Sequence, residues 1–167
     1  MKIAIAGYGV VGRGTHELLL MNRDKIAARA GEEIEVKYVL DPKPLEGTPA
    51  ERLKASGIEE ILADPEVKLL VEAIGGVGPA YEYVKAALES GRSVVTPNKQ
   101  LVAEKGAELL AIAREKNVGF LFEASVAGGT PVLHPISQCL WANDLDLAAG
   151  ILNGTTNYIL TKMVQEG

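Results

Sequence analysis

Apolar positions along this chain recur with a period of two in some stretches and nearer four in others. The regular switch between these rhythms predicts strands alternating with helices. Residues 2–6, Lys2-Ile3-Ala4-Ile5-Ala6, read as a first strand, and residues 10–28, with Leu18, Leu19, Leu20 and Met21, as a first helix. Residues 34–40 alternate and then turn apolar, a second strand closed by Asp41-Pro42 because proline cannot donate to a sheet ladder. Residues 43–57 read as a polar loop with a short helical piece. A third strand over 68–74 ends at Gly75-Gly76, and Pro79 then opens a helix with Ala80, Val84, Ala87 and Leu88 on one face. Ser93-Val94-Val95-Thr96 is a fourth strand. Pro97-Asn98 starts a helix aligning Val102, Leu109, Leu110 and Ala113, and residues 119–122 are a fifth strand.

Strand–helix alternation implies right-handed crossovers and a doubly wound, mostly parallel α/β sheet with helices on both faces. The rhythm changes after Glu123. Residues 124–131 are small and flexible, a helix is predicted over 132–141 and a sixth strand over 145–152, and Gly154-Thr155-Thr156-Asn157-Tyr158 enters a last helix. That tail reads as the start of a second set of elements that the chain does not finish. The apolar face it leaves exposed predicts self-association or poor solubility.

Composition narrows the picture. A length of 167 residues suits one domain and part of another, and 47% hydrophobic residues suffice for a substantial core. A net charge of −5 without a basic block argues against a nucleic-acid partner. No apolar run approaches the roughly 20 residues that span a bilayer. Gly7, Gly9 and Gly12 interrupt any secretion-signal reading, so a soluble cytoplasmic protein without a membrane partner is the default. The single cysteine, Cys139, excludes an internal disulfide framework and a cysteine zinc cluster, and its apolar neighbours predict buried packing.

The chemistry concentrates where strands end. Gly7-Tyr8-Gly9-Val10-Val11-Gly12 is a Gly-x-Gly-x-x-Gly run between a strand and a helix, the order that a dinucleotide pyrophosphate needs. Gly7 allows the sharp turn, Gly9 lets phosphate approach the backbone, and Gly12 lets the helix lie close to the strand. The helix N-terminus offers unpaired N–H groups to the anion. This sets a Rossmann-like dinucleotide-binding domain over 1–130 and the incomplete start of a substrate-binding region over 131–167.

In open α/β sheets ligands collect at the carboxyl ends of strands. Those ends are Gly7 to Gly12, Asp41, Ile74-Gly75-Gly76, Thr96 to Lys99, Glu123 to Gly129 and Asn153 to Thr156. Asp41 has two readings: an acceptor for the adenosine ribose, or a turn-forming residue before Pro42. It lies further past Gly12 than the usual spacing of about 20 residues. An acid there favours NAD by repelling a 2′-phosphate, and nearby Lys43 blunts the preference, so both NAD and NADP stay open. Lys99, beside Thr96 and Asn98, reads as a cofactor or substrate contact. Glu72 and Glu123 read first as structural carboxylates, although Glu123 before a glycine-rich turn could join carbonyls around a hard cation. His16 and His134 read as packing or surface residues, Trp141 and Tyr158 as core or interface residues, and Ser125 lacks a nucleophile-elbow setting.

Several segments together resemble homoserine dehydrogenase. They are the glycine run 7–12, Val71-Glu72-Ala73-Ile74-Gly75-Gly76, Val94-Val95-Thr96-Pro97-Asn98-Lys99, Glu123-Ala124-Ser125-Val126-Ala127-Gly128-Gly129-Thr130-Pro131 and Gly150-Ile151-Leu152-Asn153-Gly154-Thr155-Thr156-Asn157-Tyr158-Ile159-Leu160. The resemblance implies NAD(P)-dependent interconversion of L-homoserine and L-aspartate 4-semialdehyde, a step toward threonine and methionine. It implies that Gly7, Tyr8, Gly9, Val10, Val11 and Gly12 hold pyrophosphate and that Ile74, Gly75 and Thr96 line the nicotinamide side. Lys99 would lie near cofactor and substrate, and Asn153, Gly154 and Thr155 would face the substrate. Glu123, with backbone groups of Val126, Gly128 and Thr130, resembles the family's monovalent-cation site for Na or K. Family members continue past this length, and their acid/base lysine lies in that additional stretch of chain. No catalytic acid/base residue is therefore assignable here beyond a contribution from Lys99. The expectation is a truncated form, a gene fragment or half of a split enzyme, homo-oligomeric when complete. The alternative is a non-catalytic NAD(P)-binding or sensing module. A thiol-dependent aldehyde dehydrogenase is disfavoured, because Cys139 lies off the strand-end cleft.

Overall fold

Strand β1 (Lys2–Ala6) shows why the sheet is covered on both sides. Successive side chains of a strand point to opposite faces. Ile3 and Ile5 join one apolar cluster, Ala4 and Ala6 another, and all four are at most 2% exposed. The computed structural model describes residues 1–140, 142–150 and 153–166. It divides into two compact units, Met1–Phe122 and Glu123–Gly167.

In the first unit, β1 pairs with β2 (Glu35–Leu40) and β3 (Val67–Glu72), and the sheet continues through β4 (Ser93–Val95) to β5 (Phe120–Leu121). All pairings are parallel, and the order is β2-β1-β3-β4-β5. The register sets Ala6 beside both Leu40 and Glu72, and Val71 beside Val95, so the carboxyl ends of the first four strands are level. On the Ile3/Ile5 face lies α1 (Val10–Met21), which buries Gly12 and His16 and packs Leu19. On the other face lie α3 (Ile58–Ala63), α4 (Gly78–Glu89) and α5 (Lys99–Lys116). The expected stripe of α4, Ala80, Val84, Ala87 and Leu88, is fully buried. The stripe of α5 buries Leu109 and Ala113, packs Val102 and Leu110, and adds Leu101.

The expected first helix is two helices. α1 stops at Asn22, and α2 (Arg23–Ala30) follows. Both the backbone N–H and the Nδ2 of Asn22 donate to the Leu18 carbonyl, a local competition that short polar side chains bring to helix interiors. Leu18, Leu20 and Met21 are exposed, because adjacent residues on a helix point about 100° apart and cannot share a face. α3 escapes the periodicity reading, since one short turn carries only Ile58 and Ile61 inward.

The second unit is built differently. Glu123–Ser125 forms a 3-10 turn, residues 133–139 are helical with Pro135–Cys139 wound as a π-turn, and α6 spans Gly154–Glu166. The helix expected over 132–141 is therefore shorter, and Trp141 lies outside the described residues. The expected sixth strand does not form over 145–150, where Leu147 is 83% exposed and no neighbouring strand is present among the described residues. Ile151 and Leu152 lie outside the described residues. Cys139 is exposed rather than buried, and so are Tyr158, Ile159, Leu160 and Met163. None of the described residues of this unit is buried, so it has no core to cover them. Among the described residues no helix is long and apolar enough to cross a membrane.

Candidate functional site

The three motif glycines at the end of β1 do different things. Gly7 has φ of 92°, and a Cβ there would stand 2.6 Å from the carbonyl carbon and oxygen of Ala73. A Cβ on Gly12 would stand 1.9 Å from the Gly7 oxygen. These two positions close the turn against β3 and against the start of α1. A Cβ on Gly9 would meet nothing within 4 Å, so Gly9 borders open space. No side chain caps α1, and its first turn carries no acid. The N–H groups of Val10, Val11 and Gly12 have no acceptor within the helix, and Val10 is 93% exposed. Unpaired amides, a positive helix end and space for an anion thus coincide. These residues fit a dinucleotide pyrophosphate.

The turn is tied to β2. Gly7 N–H donates to the Leu40 carbonyl at 2.8 Å, and Tyr8 N–H donates to Asp41 Oδ2 at 2.6 Å. Asp41 Oδ1 accepts Lys43 N–H at 2.8 Å, the turn that precedes and includes Pro42. The turn-forming reading of Asp41 is therefore realised, and the same carboxylate also anchors the glycine loop. Tyr8 sends its ring into the sheet face, where its hydroxyl and His16 Nδ1 lie 2.8 Å apart. Burial holds the His16 imidazole below its ordinary pKa and pushes the Tyr8 phenol up. Of the two readings of His16, packing or surface, the structure realises packing, with a polar partner that the sequence did not show.

At the ends of β3 and β4 the central residue is Glu72, fully buried. Its Oε1 accepts Ile74 N–H at 2.7 Å and Gly75 N–H at 3.2 Å, and its Oε2 accepts the Thr96 hydroxyl. Thr96 Oγ1 accepts Asn98 N–H at 2.9 Å. Asn98 caps α5 by accepting Leu101 N–H at 3.1 Å and donates from Nδ2 to the Gly76 carbonyl at 2.6 Å. Above this network the turn Ile74-Gly75-Gly76 is exposed. Lys99 is the exposed first residue of α5, where a cation opposes the helix dipole. Its placement there gains nothing for the helix, and it makes no ion pair among the described residues. The first unit therefore gathers the glycine turn, Asp41, Ile74, Gly75, Thr96 and Lys99 along one edge of its sheet. The signal for Glu72 was present as an acid set in the apolar run from Leu69 to Ile74, just ahead of two glycines.

In the second unit, Glu123 Oε1 accepts Val132 N–H at 2.5 Å and Leu133 N–H at 3.0 Å, and Oε2 accepts His134 N–H at 2.8 Å. These donors, Val132 first, hold its carboxyl below the usual range. Val126 N–H donates to the Glu123 carbonyl, Thr130 N–H donates to the Ala127 carbonyl, and Ala127 and Gly128 take positive φ. Glu123, Val126, Gly128 and Thr130 thus share one loop whose carboxylate is engaged by backbone. Asn153 Oδ1 accepts Thr156 N–H at 2.8 Å, capping α6, which begins with Gly154 and Thr155, both exposed.

The family model described as the homoserine dehydrogenase NAD-binding domain matches residues 7–123, and that described as homoserine dehydrogenase matches residues 131–167. The chain belongs to the homoserine dehydrogenase family. It is 45% identical to the homoserine dehydrogenase of Pseudomonas aeruginosa over 169 aligned residues, covering all of this chain and 39% of that protein. The crystal structure of a homoserine dehydrogenase from Thiobacillus denitrificans superposes with a TM-score of 0.87 at 40% identity, over 98% of this chain and 38% of that one. A hyperthermophilic archaeal homoserine dehydrogenase in complex with NADPH matches at a TM-score of 0.64 and 27% identity, over 81% of this chain and 48% of that one. The chain thus spans about two fifths of the length of its homoserine dehydrogenase relative from Pseudomonas.

Proposed function

We propose that this chain is the dinucleotide-binding part of an NAD(P)-dependent homoserine dehydrogenase, serving the interconversion of L-homoserine and L-aspartate 4-semialdehyde. The observation that carries the reading is the glycine turn: two glycines locked by backbone contact and a third bordering open space at an uncapped helix start. In this reading residues 1–130 hold the cofactor and residues 131–167 begin the substrate region. The amides of Gly9, Val10, Val11 and Gly12 face the pyrophosphate, and Tyr8, its N–H held by Asp41, fixes the loop that presents them. Asp41 keeps lone pairs for a ribose hydroxyl beyond those taken by Tyr8 and Lys43, which favours NAD, while Lys43 leaves NADP acceptable. Because β1 is flanked by β2 on one side and β3 on the other, the two halves of a dinucleotide seated there extend in opposite directions. The adenosine half lies toward Asp41 and the nicotinamide half toward Ile74, Gly75 and Thr96.

A nicotinamide held by Ile74, Gly75 and Thr96 would supply hydride chemistry at the carbonyl carbon of the semialdehyde, with a proton moving on its oxygen. The chain's own part is orientation and charge. Lys99, cationic at the head of α5, attracts anionic groups of cofactor or substrate. Asn153, Gly154 and Thr155 supply polar groups for the amino-acid end of the substrate. The loop of Glu123, Val126, Gly128 and Thr130 offers carboxylate and backbone oxygens suited to Na or K. The complete enzyme is read as a cytoplasmic homo-oligomer with a small-molecule substrate.

Calorimetric titration with NAD and NADP tests the cofactor reading. Binding heat and a raised melting temperature are expected, and both should vanish in Gly9→Val while that variant's unliganded melting temperature stays near the parent's. No heat and no stabilisation with either dinucleotide would refute it.

A further inference from the structure

A buried carboxylate at the end of a central strand is costly to desolvate, and an apolar residue of similar size would spare the sheet that cost. Glu72 nevertheless sits there at 0% exposure, level with the carboxyl ends of β1 and β4. Its contacts form a closed ring. Glu72 holds the N–H groups of Ile74 and Gly75 and the hydroxyl of Thr96. Thr96 holds Asn98 N–H, and Asn98 returns to the same turn through the Gly76 carbonyl. Gly75 and Gly76 take φ of 83° and 68° and carry no side chains that could pin the turn from outside. The shape of the exposed turn Ile74-Gly75-Gly76 is therefore dictated from beneath, by Glu72 at its first two amides and by Asn98 at the Gly76 carbonyl.

We propose that Glu72 is a positioning residue that sets the seat of the nicotinamide half of the dinucleotide, by fixing the Ile74–Gly75 turn and the Thr96 hydroxyl. This rests on the dinucleotide reading and deepens it. The chemistry is directional. The carboxylate offers only acceptors, so Thr96 must donate to it, and its Oγ1 lone pairs are then free to accept. Glu72→Gln keeps the size and an acceptor for the turn amides. With Oε1 kept on the turn amides, Nε2 donates to Thr96 Oγ1, so that bond reverses and loses its charge, and the Thr96 hydroxyl proton loses the carboxylate that received it.

Two ligands separate positioning from general damage. ADP-ribose carries the pyrophosphate and adenosine but no nicotinamide; NADH carries all three. Calorimetry on the chain and on Glu72→Gln should show NADH affinity falling about tenfold while ADP-ribose affinity stays within about twofold, the size of one charge-assisted hydrogen bond. Equal losses for both ligands, or no loss for either, would overturn the proposal. If the parent chain binds neither ligand, the dinucleotide reading itself fails; if it binds both, only the Glu72 assignment is at stake. Should Glu72→Gln not fold, Thr96→Val and Thr96→Ser carry the test, because valine cuts the same hydrogen bond and serine keeps it. A selective loss for NADH in the valine variant, absent in the serine variant, supports the ring. The same loss in both variants overturns it.

Discussion

The two units of this chain are stabilised in opposite ways. Residues 1–122 bury both faces of a parallel sheet, with Ile5, Leu70, Leu88, Leu101 and Leu109 wholly enclosed. Among the described residues from 123 onward none is buried, and order comes from local hydrogen bonds: Glu123 holding three backbone N–H groups and Asn153 capping α6. The first unit can therefore tolerate changes at its rim but not in its contacts, while the second hangs on a few polar groups. Hydrophobic burial contributes roughly 25 cal/mol per Å², whereas a typical hydrogen bond nets about 1 kcal/mol, so the two units should respond to mutation on different scales.

The sharpest break of this contrast is at Gly12. Gly12→Ala forces a methyl group into the Gly7 carbonyl and should cost roughly 3 kcal/mol or prevent folding, read by urea denaturation of the first unit. Gly9→Ala, in the same motif but facing open space, should change stability by less than about 1 kcal/mol. Equal losses at the two positions would contradict the division of labour among the glycines. Next in size is Arg92, 8% exposed, whose Nη2 donates to the carbonyls of Leu62 at 2.7 Å and Asp64 at 2.9 Å. Arg92→Met removes those donors from the end of α3 and should cost about 2 kcal/mol.

Glu123→Gln should act on the second unit alone. Faster amide exchange at Val132, Leu133 and His134 is expected, with no change in exchange at β1. The pH dependence follows the same line. The Glu123 carboxyl is held below its ordinary 4.5, so its contribution is present above that pH and fades as pH falls toward the lower folded value. The smallest effect belongs to His16. Its pKa lies below the ordinary 6.5 because of burial, so neutral imidazole is favoured in the folded state. Stability should be full above pH 6.5 and decline as the solution is acidified below it. His16→Gln should flatten that limb of the pH–melting curve, and an unchanged limb would assign it to another group.

The contrast also explains what could be read from residues alone. Ala80, Val84, Ala87 and Leu88 announce α4 because they share a face that is buried against the sheet. Periodicity reports burial, and it was visible where a helix or strand was long enough to repeat its buried face; the short α3, with Ile58 and Ile61 buried, was not. Over 145–150 the expected strand failed where burial was absent: Leu145 and Leu147 alternate with polar neighbours, yet both are exposed. Cys139 was misplaced for the same reason, since an apolar neighbourhood in sequence is not an enclosing one in space. At the candidate site, the glycines and strand ends could be located by spacing. The ring through Glu72, Thr96 and Asn98 could not, because it joins residues 24 apart whose meeting depends on the register of β3 and β4.

The interlock of Gly7 with Gly12 has a kinetic consequence. A loop held by backbone contact to both β3 and α1 has little conformational freedom left to lose when an anion arrives. Capture at this turn should then proceed at the rate of encounter, in a single exponential phase linear in ligand concentration, with no slow rearrangement behind it.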